Sequence, residues 1–312
     1  MVDVVCPLSK STRLTVLEKI QTSDLVRMYN KWLDGDISQE FGTIDEIGFY
    51  HCADCDLKFF SPAIGGSERF YERLQKFDWY YKDSKTEYDY ARQFVKSSDL
   101  LLEIGCGKGA FAQQISTKTY VGLELSQKAI EAARENGVDA NRETIQDHAR
   151  NHSAKYDVVC AFQVLEHITD TCSFIDASLT CLRRGGLLIY SVPSSDSFVS
   201  FLSNPLTNMP PHHLTWWSDR CLENIAKIFH IELLHLKHEI LQSHNKQLYA
   251  YAIIMASLED IFGVRPSLIQ RSLKQKGIRK VASLGARILK RGLVDYRLLP
   301  RGHTVTVVYR KK

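Results

Sequence analysis

The chain has 312 residues, is 44% hydrophobic and 24% charged, and carries a formal net charge of +4. That composition is ordinary for a globular protein with one large domain, or one domain and a small appendage. No apolar run approaches the roughly 20 residues of a membrane span, and residues 1–10 lack a basic stretch followed by an apolar one, so no secretory signal is read and a cytoplasmic location is expected.

Eight cysteines stand at 6, 52, 55, 106, 160, 172, 181 and 221. Several lie inside apolar runs, as Cys160 does, which is the habit of buried free thiols rather than of a disulfide framework. The charge is uneven. Residues 258–312 hold 14 Lys and Arg against three acids, whereas the rest holds 26 Lys and Arg against 33 Asp and Glu. Any anionic partner would therefore be sought by the C-terminal segment.

Residues 1–91 show no alternation of strands and helices and are read as an N-terminal module. Leu14 to Leu33 and Ser67 to Phe77 look helical. Between them, His51-Cys52-Ala53-Asp54-Cys55 sits in a predicted hairpin, the way a zinc knuckle begins. Cys6-Pro7-Leu8-Ser9 would be its partner pair with the second cysteine replaced. Cys6, Cys52 and Cys55 could hold zinc with water or a histidine as fourth ligand. Structural zinc sites almost always take four protein ligands, so a hairpin held by packing alone is the favoured reading and no metal is assigned. Next comes an aromatic-rich stretch, Phe77-Asp78-Trp79-Tyr80-Tyr81 and then Tyr88 and Tyr90, readable as a lid over a ligand or as core aromatics.

A regular α/β alternation occupies residues 92–312. Strand Leu100–Ile104 leads through Gly105-Cys106-Gly107-Lys108-Gly109 into a helix over Ala110–Ser116. Strand Tyr120–Glu124 leads to helix Gln127–Asn136, with Ser126 as N-cap and Asn136-Gly137 as stop. A short strand falls near Val138–Arg142. Strand Tyr156–Phe162 precedes a helix containing Thr171 to Leu182, and Arg183-Arg184-Gly185-Gly186 turns into strand Leu187–Pro193. Ile231–Leu236 and Val305–Tyr309 read as two further strands. Such alternation means a mostly parallel sheet with helices on both faces. Between the last two strands, residues 258–301 form a basic helical interruption, broken into short helices by Pro266, Gly277, Gly285 and Gly292.

The glycines let the backbone turn sharply and let a ligand lie against bare main chain, and a helix start there would favour an anionic group. Gly105, Gly107 and Ala110 also fit the dinucleotide fingerprint, with Glu124 as its acid. Glu103 tips the balance, because an acid at the strand tip is poorly placed beside a pyrophosphate and well placed beside an ammonium. Glu103-Ile104-Gly105-Cys106-Gly107-Lys108-Gly109 resembles the first motif of class I S-adenosylmethionine-dependent methyltransferases. Gln163-Val164-Leu165-Glu166-His167 resembles the Val-Leu-Glu-His stretch after that family's fourth strand, with Gln163 where Glu is commoner. The resemblance covers residues 100–241 and the last strand.

It implies a Rossmann-like methyltransferase sheet with an antiparallel last edge strand, and S-adenosyl-L-methionine as cofactor. Carried over, Glu103, Gly105, Cys106, Gly107 and Gly109 would surround the methionine end. Glu124 would accept from the ribose hydroxyls and Leu125 would flank the adenine. Thr144 and Ile145 would touch the adenine, Asp147 its amino group, and Gln163 would face the cofactor. A catalytic base for a hydroxyl acceptor would be His212 or His213, in Pro210-Pro211-His212-His213 past the fifth strand. Trp216 and Trp217 could stack on a ring acceptor or simply pack.

The expected activity is methylation of a small-molecule, sugar or lipid-linked acceptor. The cysteine hairpin is similar to the zinc-binding N-terminal module of sugar C-methyltransferases, although most of this N-terminus departs from them. The basic insertion leaves two other partners open. It could grip RNA, a reading weakened because no aromatic other than Tyr296 is interleaved with its basic residues, or it could lie on a membrane surface through Leu268, Leu273, Ile278, Val281, Leu284, Ile288 and Leu289. A non-catalytic cofactor-binding scaffold is the remaining alternative, and the intact Glu103, glycines and Glu124 speak against it.

Overall fold

The computed structural model describes residues 4–77, 80, 83–270, 272–294 and 299–312. Asp78, Trp79 and Tyr81 of the aromatic-rich stretch, and Arg271 and Tyr296 of the insertion, lie outside them.

The chain opens with β1 (Leu14–Gln21), α1 (Thr22–Leu33), α2 (Ser38–Phe41), β2 (Glu46–Cys52), β3 (Lys58–Ser61), α3 (Glu68–Leu74) and α4 (Thr86–Ala91). The expected helix over Leu14 to Leu33 is therefore a strand followed by a helix. β-branched Thr15 and Val16 suit a strand, and the stretch is held by antiparallel pairing of Leu14 with Cys52 through Gln21 with Glu46. The α/β portion follows as β4 (Leu100–Ile104), β5 (Thr119–Leu123), α5 (Gln127–Glu135), β6 (Ala140–Asn141), α6 (Ile145–Asn151), β7 (Tyr156–Phe162), α7 (Thr171–Cys181), β8 (Leu182–Pro193), β9 (Thr215–Trp216) and α8 (Asp219–Ile228). The last elements are β10 (Glu232–Ile240), α9 (Lys246–Ile261), α10 (Leu273–Leu289) and β11 (Arg301–Arg310).

Seven strands form one sheet in the order β10-β11-β8-β7-β4-β5-β6. β6, β5, β4, β7 and β8 run parallel, and β11 is antiparallel to both β8 and β10. This is the Rossmann-like methyltransferase sheet expected from the sequence. Its central strands are buried on both faces, so they read as continuous apolar runs. Alternate residues feed two cores. Leu102, Val159, Leu188 and Val307 face one, while Leu101, Val158, Ile189 and Val308 face the other.

No helix forms over Ala110–Ser116; a single 3-10 turn, Ala112–Gln114, takes its place. Phe111 turns inward onto Tyr88 and Phe162, and Ser116, Thr117 and Thr119 are poor helix formers that lead straight into β5. α6 was not foreseen. Its N-cap is Thr144, whose hydroxyl accepts from the Asp147 amide at 3.2 Å.

A second sheet, β1-β2-β3-β9, is antiparallel. Its last strand comes from the loop after β8, pairing Thr215 with Phe59 and Trp216 with Lys58. Its core, around Tyr29, Phe49, Phe60, Phe70 and Trp216, also takes in Leu268 and Ile269 from beyond α9. The insertion starts earlier than expected, with α9, and α10 runs unbroken through Gly277 and Gly285. Ser272 and Gln275 close a capping box on α10. A Cβ on Gly285 would stand 2.9 Å from Ile254 Cδ1, so this glycine marks where α9 and α10 approach closely, and Gly277 has nothing within 4 Å.

Trp216 sits in the core of the second sheet. It packs on Phe49 at a centroid distance of 5.0 Å, and its Nε1 donates to the Asn208 carbonyl at 2.7 Å. Trp216→Ala should cost about 3–5 kcal/mol of stability, read as a lowered denaturation midpoint in urea.

Candidate functional site

A cavity of about 1300 Å³ opens at the carboxyl ends of β4, β5, β7 and β8, where parallel α/β sheets place their ligands. One pole is built by the glycine turn. Gly105 and Cys106 both donate to the Leu123 carbonyl, at 2.7 and 3.1 Å, and tie the turn to β5. Gly105 has φ +72°, and a Cβ there would sit 2.5 Å from Val164 Cγ2. Glycine is thus required by conformation and by space. Cys106 is buried, with its sulfur against the bare face of Gly122.

Glu124 clamps this pole. Its carboxylate accepts from the amides of Gly107 at 3.0 Å, Leu125 at 2.7 Å and Ser126 at 2.9 Å. No helix follows the turn, so it carries no helix dipole of its own; Glu124 and Glu103 stand beside it, and Lys108 within it pairs with Asp83 at 2.6 Å. Glu103 lies one layer behind, 1% exposed, accepting from the Tyr120 hydroxyl. Burial pushes its carboxyl up to about 8, against the opposing pull of the Tyr120 hydroxyl and of Lys85.

Gly105, Cys106, Gly107, Glu124, Leu125, Thr144, Ile145 and Gln163 all line the cavity, and Glu103, Gly109 and Asp147 are not in its lining. Gly109 instead shapes the turn, with φ +81° and Val138 Cγ2 at 2.6 Å from the position of a Cβ. The Asp147 carboxylate is engaged by the Thr144 hydroxyl and by Arg150.

Gln163 adopts φ +58°, a left-handed conformation that is uncommon outside glycine and is often found at functional positions. Its side chain reaches Glu87 of α4 at 3.5 Å. α4 is a wall of the cavity, contributing Thr86, Glu87, Tyr88 and Asp89. Thr86 in turn donates to Glu239 at 2.9 Å, which also accepts the amides of His303 and Thr304. These links between α4 and the far edge of the sheet carry no local motif and were missed from the sequence.

The opposite pole holds Glu166, His167, His212 and His213. Glu166 and His167 lie on a 3-10 turn after β7, and the other two in the loop after β8. That loop is held on three sides. The Leu214 amide donates to the Glu166 carbonyl at 2.8 Å, the Gly66 amide to the Pro211 carbonyl at 2.9 Å, and the Tyr29 hydroxyl to the Met209 carbonyl at 3.0 Å. Burial pushes the imidazoles down, to about 4 for His167, about 3 for His212 and well below the ordinary value for His213. All three are neutral near pH 7, and groups held so low are weak proton acceptors. Burial pushes Glu166 up to about 8.

Trp216 and Trp217 are buried and do not line the cavity. Their indoles donate to the Asn208 carbonyl and the Thr215 hydroxyl, so both pack. The Cys6, Cys52 and Cys55 sulfurs lie within 4.8 Å of one another, buried, with Ser9 Oγ 3.4 Å from Cys52 Sγ. Cys221 of α8 stands behind Cys55.

A family model described as a methyltransferase domain matches residues 80–237, half of the chain. The ubiquinone biosynthesis O-methyltransferase of Klebsiella pneumoniae is 33% identical over 99 residues, covering 29% of this chain and 41% of the relative. Its counterpart in Escherichia fergusonii is 31% identical with the same coverage. The aligned region thus spans about two fifths of the length of these curated relatives. Among solved structures, an S-adenosylmethionine-dependent methyltransferase of Thermotoga maritima aligns at 17% identity and TM-score 0.49, covering 78% of this chain and 98% of its own. With half of its length matched by the family model, and with the strand order described above, the chain belongs to the methyltransferase-domain family of class I S-adenosylmethionine-dependent methyltransferases.

Proposed function

We propose that the protein transfers the methyl group of S-adenosylmethionine to a small-molecule acceptor, with the cofactor at the glycine pole and the acceptor at the histidine pole. The observation that carries this reading is one cavity with an acid-clamped glycine turn at one end and a histidine cluster at the other. A dinucleotide would bring a pyrophosphate to the turn, which no helix follows and beside which two acids stand. S-adenosylmethionine brings a ribose diol for Glu124 and an ammonium whose charge Glu103 would balance from one layer behind the lining. Thr144, Ile145 and Leu125 provide the wall for the adenine, and Gln163 the edge nearest the sulfonium. Methyl transfer asks mainly for alignment and the exclusion of water. His212 and His213, buried and neutral, can accept a hydrogen bond from an acceptor hydroxyl and so orient its oxygen.

Cys6, Cys52 and Cys55 are read as a packed thiol cluster that ties the hairpin to the main core, since Ser9 occupies the fourth corner.

One surface favours an acceptor at or near an anionic lipid surface. α10 buries Gln275, Ile278, Ala282 and Ala286 against its neighbours. A second stripe is open to solvent, with Leu273 82%, Leu284 64% and Ile288 68% exposed, together with Val281. Residues 273–292 carry seven Lys and Arg and no acid. Aliphatic side chains flanked by cations suit acyl chains and headgroup phosphates better than nucleic-acid bases. His244, Asn245 and Leu248, at the start of the same helical pair, line the cavity.

Calorimetry should detect binding of S-adenosylmethionine and of its demethylated product, and none of NAD. Glu124→Ala should weaken cofactor binding by about 1.5–3 kcal/mol; tight NAD binding by the wild type would reverse the assignment. Replacing Leu284 and Ile288 together by Glu should reduce co-sedimentation with anionic vesicles while leaving cofactor affinity unchanged, and equal sedimentation would remove the lipid reading. The raised Glu103 carboxyl predicts a pH trend in the ligand-free protein. Between its ordinary value and about 8 the unfolded chain ionises this group while the folded chain keeps it protonated, so stability falls as pH rises through that window. Melting temperatures from pH 5 to pH 8 should fall less steeply in Glu103→Gln than in the wild type.

A further inference from the structure

At the histidine pole three imidazoles converge, with the Glu166 carboxyl beside two of them. Glu166 is 1% exposed, and among the described residues neither carboxylate oxygen has a hydrogen-bond partner. His167 Nε2 lies 4.0 Å and His213 Nε2 3.9 Å from Glu166 Oε1, too far for a hydrogen bond.

The other ring nitrogens are all engaged. His167 Nδ1 stands 2.6 Å from the His212 carbonyl, with the Tyr71 hydroxyl at 3.3 Å. His212 Nδ1 is 2.8 Å from the Thr207 carbonyl, and His213 Nδ1 is 2.8 Å from Asn208 Oδ1. Carbonyl oxygens only accept, so each Nδ1 carries the proton and each Nε2 is left with a bare lone pair. The three imidazoles offer ring nitrogens within 4.8 Å of one another. His212 and His213 stack at 4.4 Å, and His167 meets both edge-on at 4.8 Å.

A buried acid with no hydrogen-bond partner beside imidazole lone pairs is an unfavourable arrangement. A single proton is a poor remedy, because the gaps of 3.9 and 4.0 Å exceed the reach of one hydrogen bond. They are about 0.5 Å longer than the separation of two donors each about 2.0–2.2 Å from a tetrahedral ion, so a small inward shift of these side chains would close them on one. Donation of Nδ1–H to a carbonyl is also how metal-bound histidines are fixed in tautomer and orientation.

We propose that Glu166, His167, His212 and His213 bind one divalent transition-metal ion at the acceptor pole of the cavity. Imidazole and carboxylate donors suit zinc, ferrous iron, manganese or cobalt. That the ion serves the acceptor rests on the methyltransferase reading; that it binds does not. Its consequence there is an oxygen acceptor. A hydroxyl bound to the ion releases its proton to solvent, the resulting alkoxide or phenolate attacks the methyl carbon, the new O–C bond replaces the S–C bond, and S-adenosylhomocysteine leaves as the neutral thioether.

The test uses the full chain, stripped with a chelator and titrated with cobalt(II). The expected result is one equivalent bound per chain, with visible ligand-field absorption between about 500 and 650 nm and a raised melting temperature. Glu166→Gln and His213→Gln should each lose about tenfold or more in cobalt affinity, while Cys52→Ser keeps the band. Absence of bound cobalt in the wild type overturns the proposal, and this arm does not depend on any variant folding. So does a band that survives both pole variants, or one lost in Cys52→Ser alone and carrying sulfur charge-transfer absorption. Cofactor binding measured on the stripped protein separates the two readings. If S-adenosylmethionine binds and cobalt does not, the metal fails and the methyltransferase reading stands.

Discussion

Sealing a carboxyl group from water without a hydrogen-bond partner is unfavourable for a fold. Glu166 is held in that state, and much of the molecule is arranged so that it cannot escape. Its turn hangs from the end of β7. Its own carbonyl is the acceptor for Leu214, so the histidine loop is pinned to the same turn that carries the acid. The N-terminal sheet closes the arrangement from outside. β9 adds to β3, Tyr29 holds Met209, and Gly66 holds Pro211. The first 91 residues are thus a brace for the loop that bears His212 and His213. That accounts for a second sheet which borrows its last strand from the middle of the chain.

The glycine pole obeys a different constraint. Gly105 and Cys106 share one acceptor, the Leu123 carbonyl, which fixes the turn against β5 without help from a following helix. Recognition of charge then falls to side chains. Glu124 spends its lone pairs on three amides of the turn, and Glu103 is buried behind it. A carboxyl pushed up to about 8 is mostly protonated at neutral pH when its pocket is empty. An ammonium bound at this pole, as proposed, would favour the ionised form and release a proton.

The strands and their order were legible because parallel strands buried on both faces leave uninterrupted apolar runs, and Tyr156–Phe162 appears in the structure with the bounds read from the sequence. α5 was legible from its cap and stop, Ser126 and Asn136-Gly137. The failures share a cause. Leu14–Gln21 has a weak periodicity that pairing with β2 decides, Ala110–Ser116 is drawn inward by Phe111, and Gly277 and Gly285 were read as breaks where long-range packing keeps α10 whole. Histidines 212 and 213 could be picked out as a pair and Glu166 and His167 as part of a motif, but not that the two groups meet. That Thr207 and Asn208 fix two tautomers depends on how one loop folds back on itself, and that the His212 carbonyl fixes the third depends on a contact 45 residues apart.

The two poles and the helical pair lie along one path. The cavity runs from Glu124 past Gln163 to the histidines and opens beside His244, Asn245 and Leu248, where α9 begins. α10 packs on α9 and turns an aliphatic stripe among cations toward solvent. A hydroxyl acceptor with an apolar tail could keep that tail in a lipid surface under α10 while its polar end reaches the histidine pole. Such an acceptor would never have to leave the membrane fully, and the transfer would avoid exposing its apolar part to water, at roughly 25 cal/mol for each square ångström kept covered. On this account the basic insertion and the buried acid act on the same molecule from opposite ends, the first by holding its surroundings and the second by fixing the atom that is methylated.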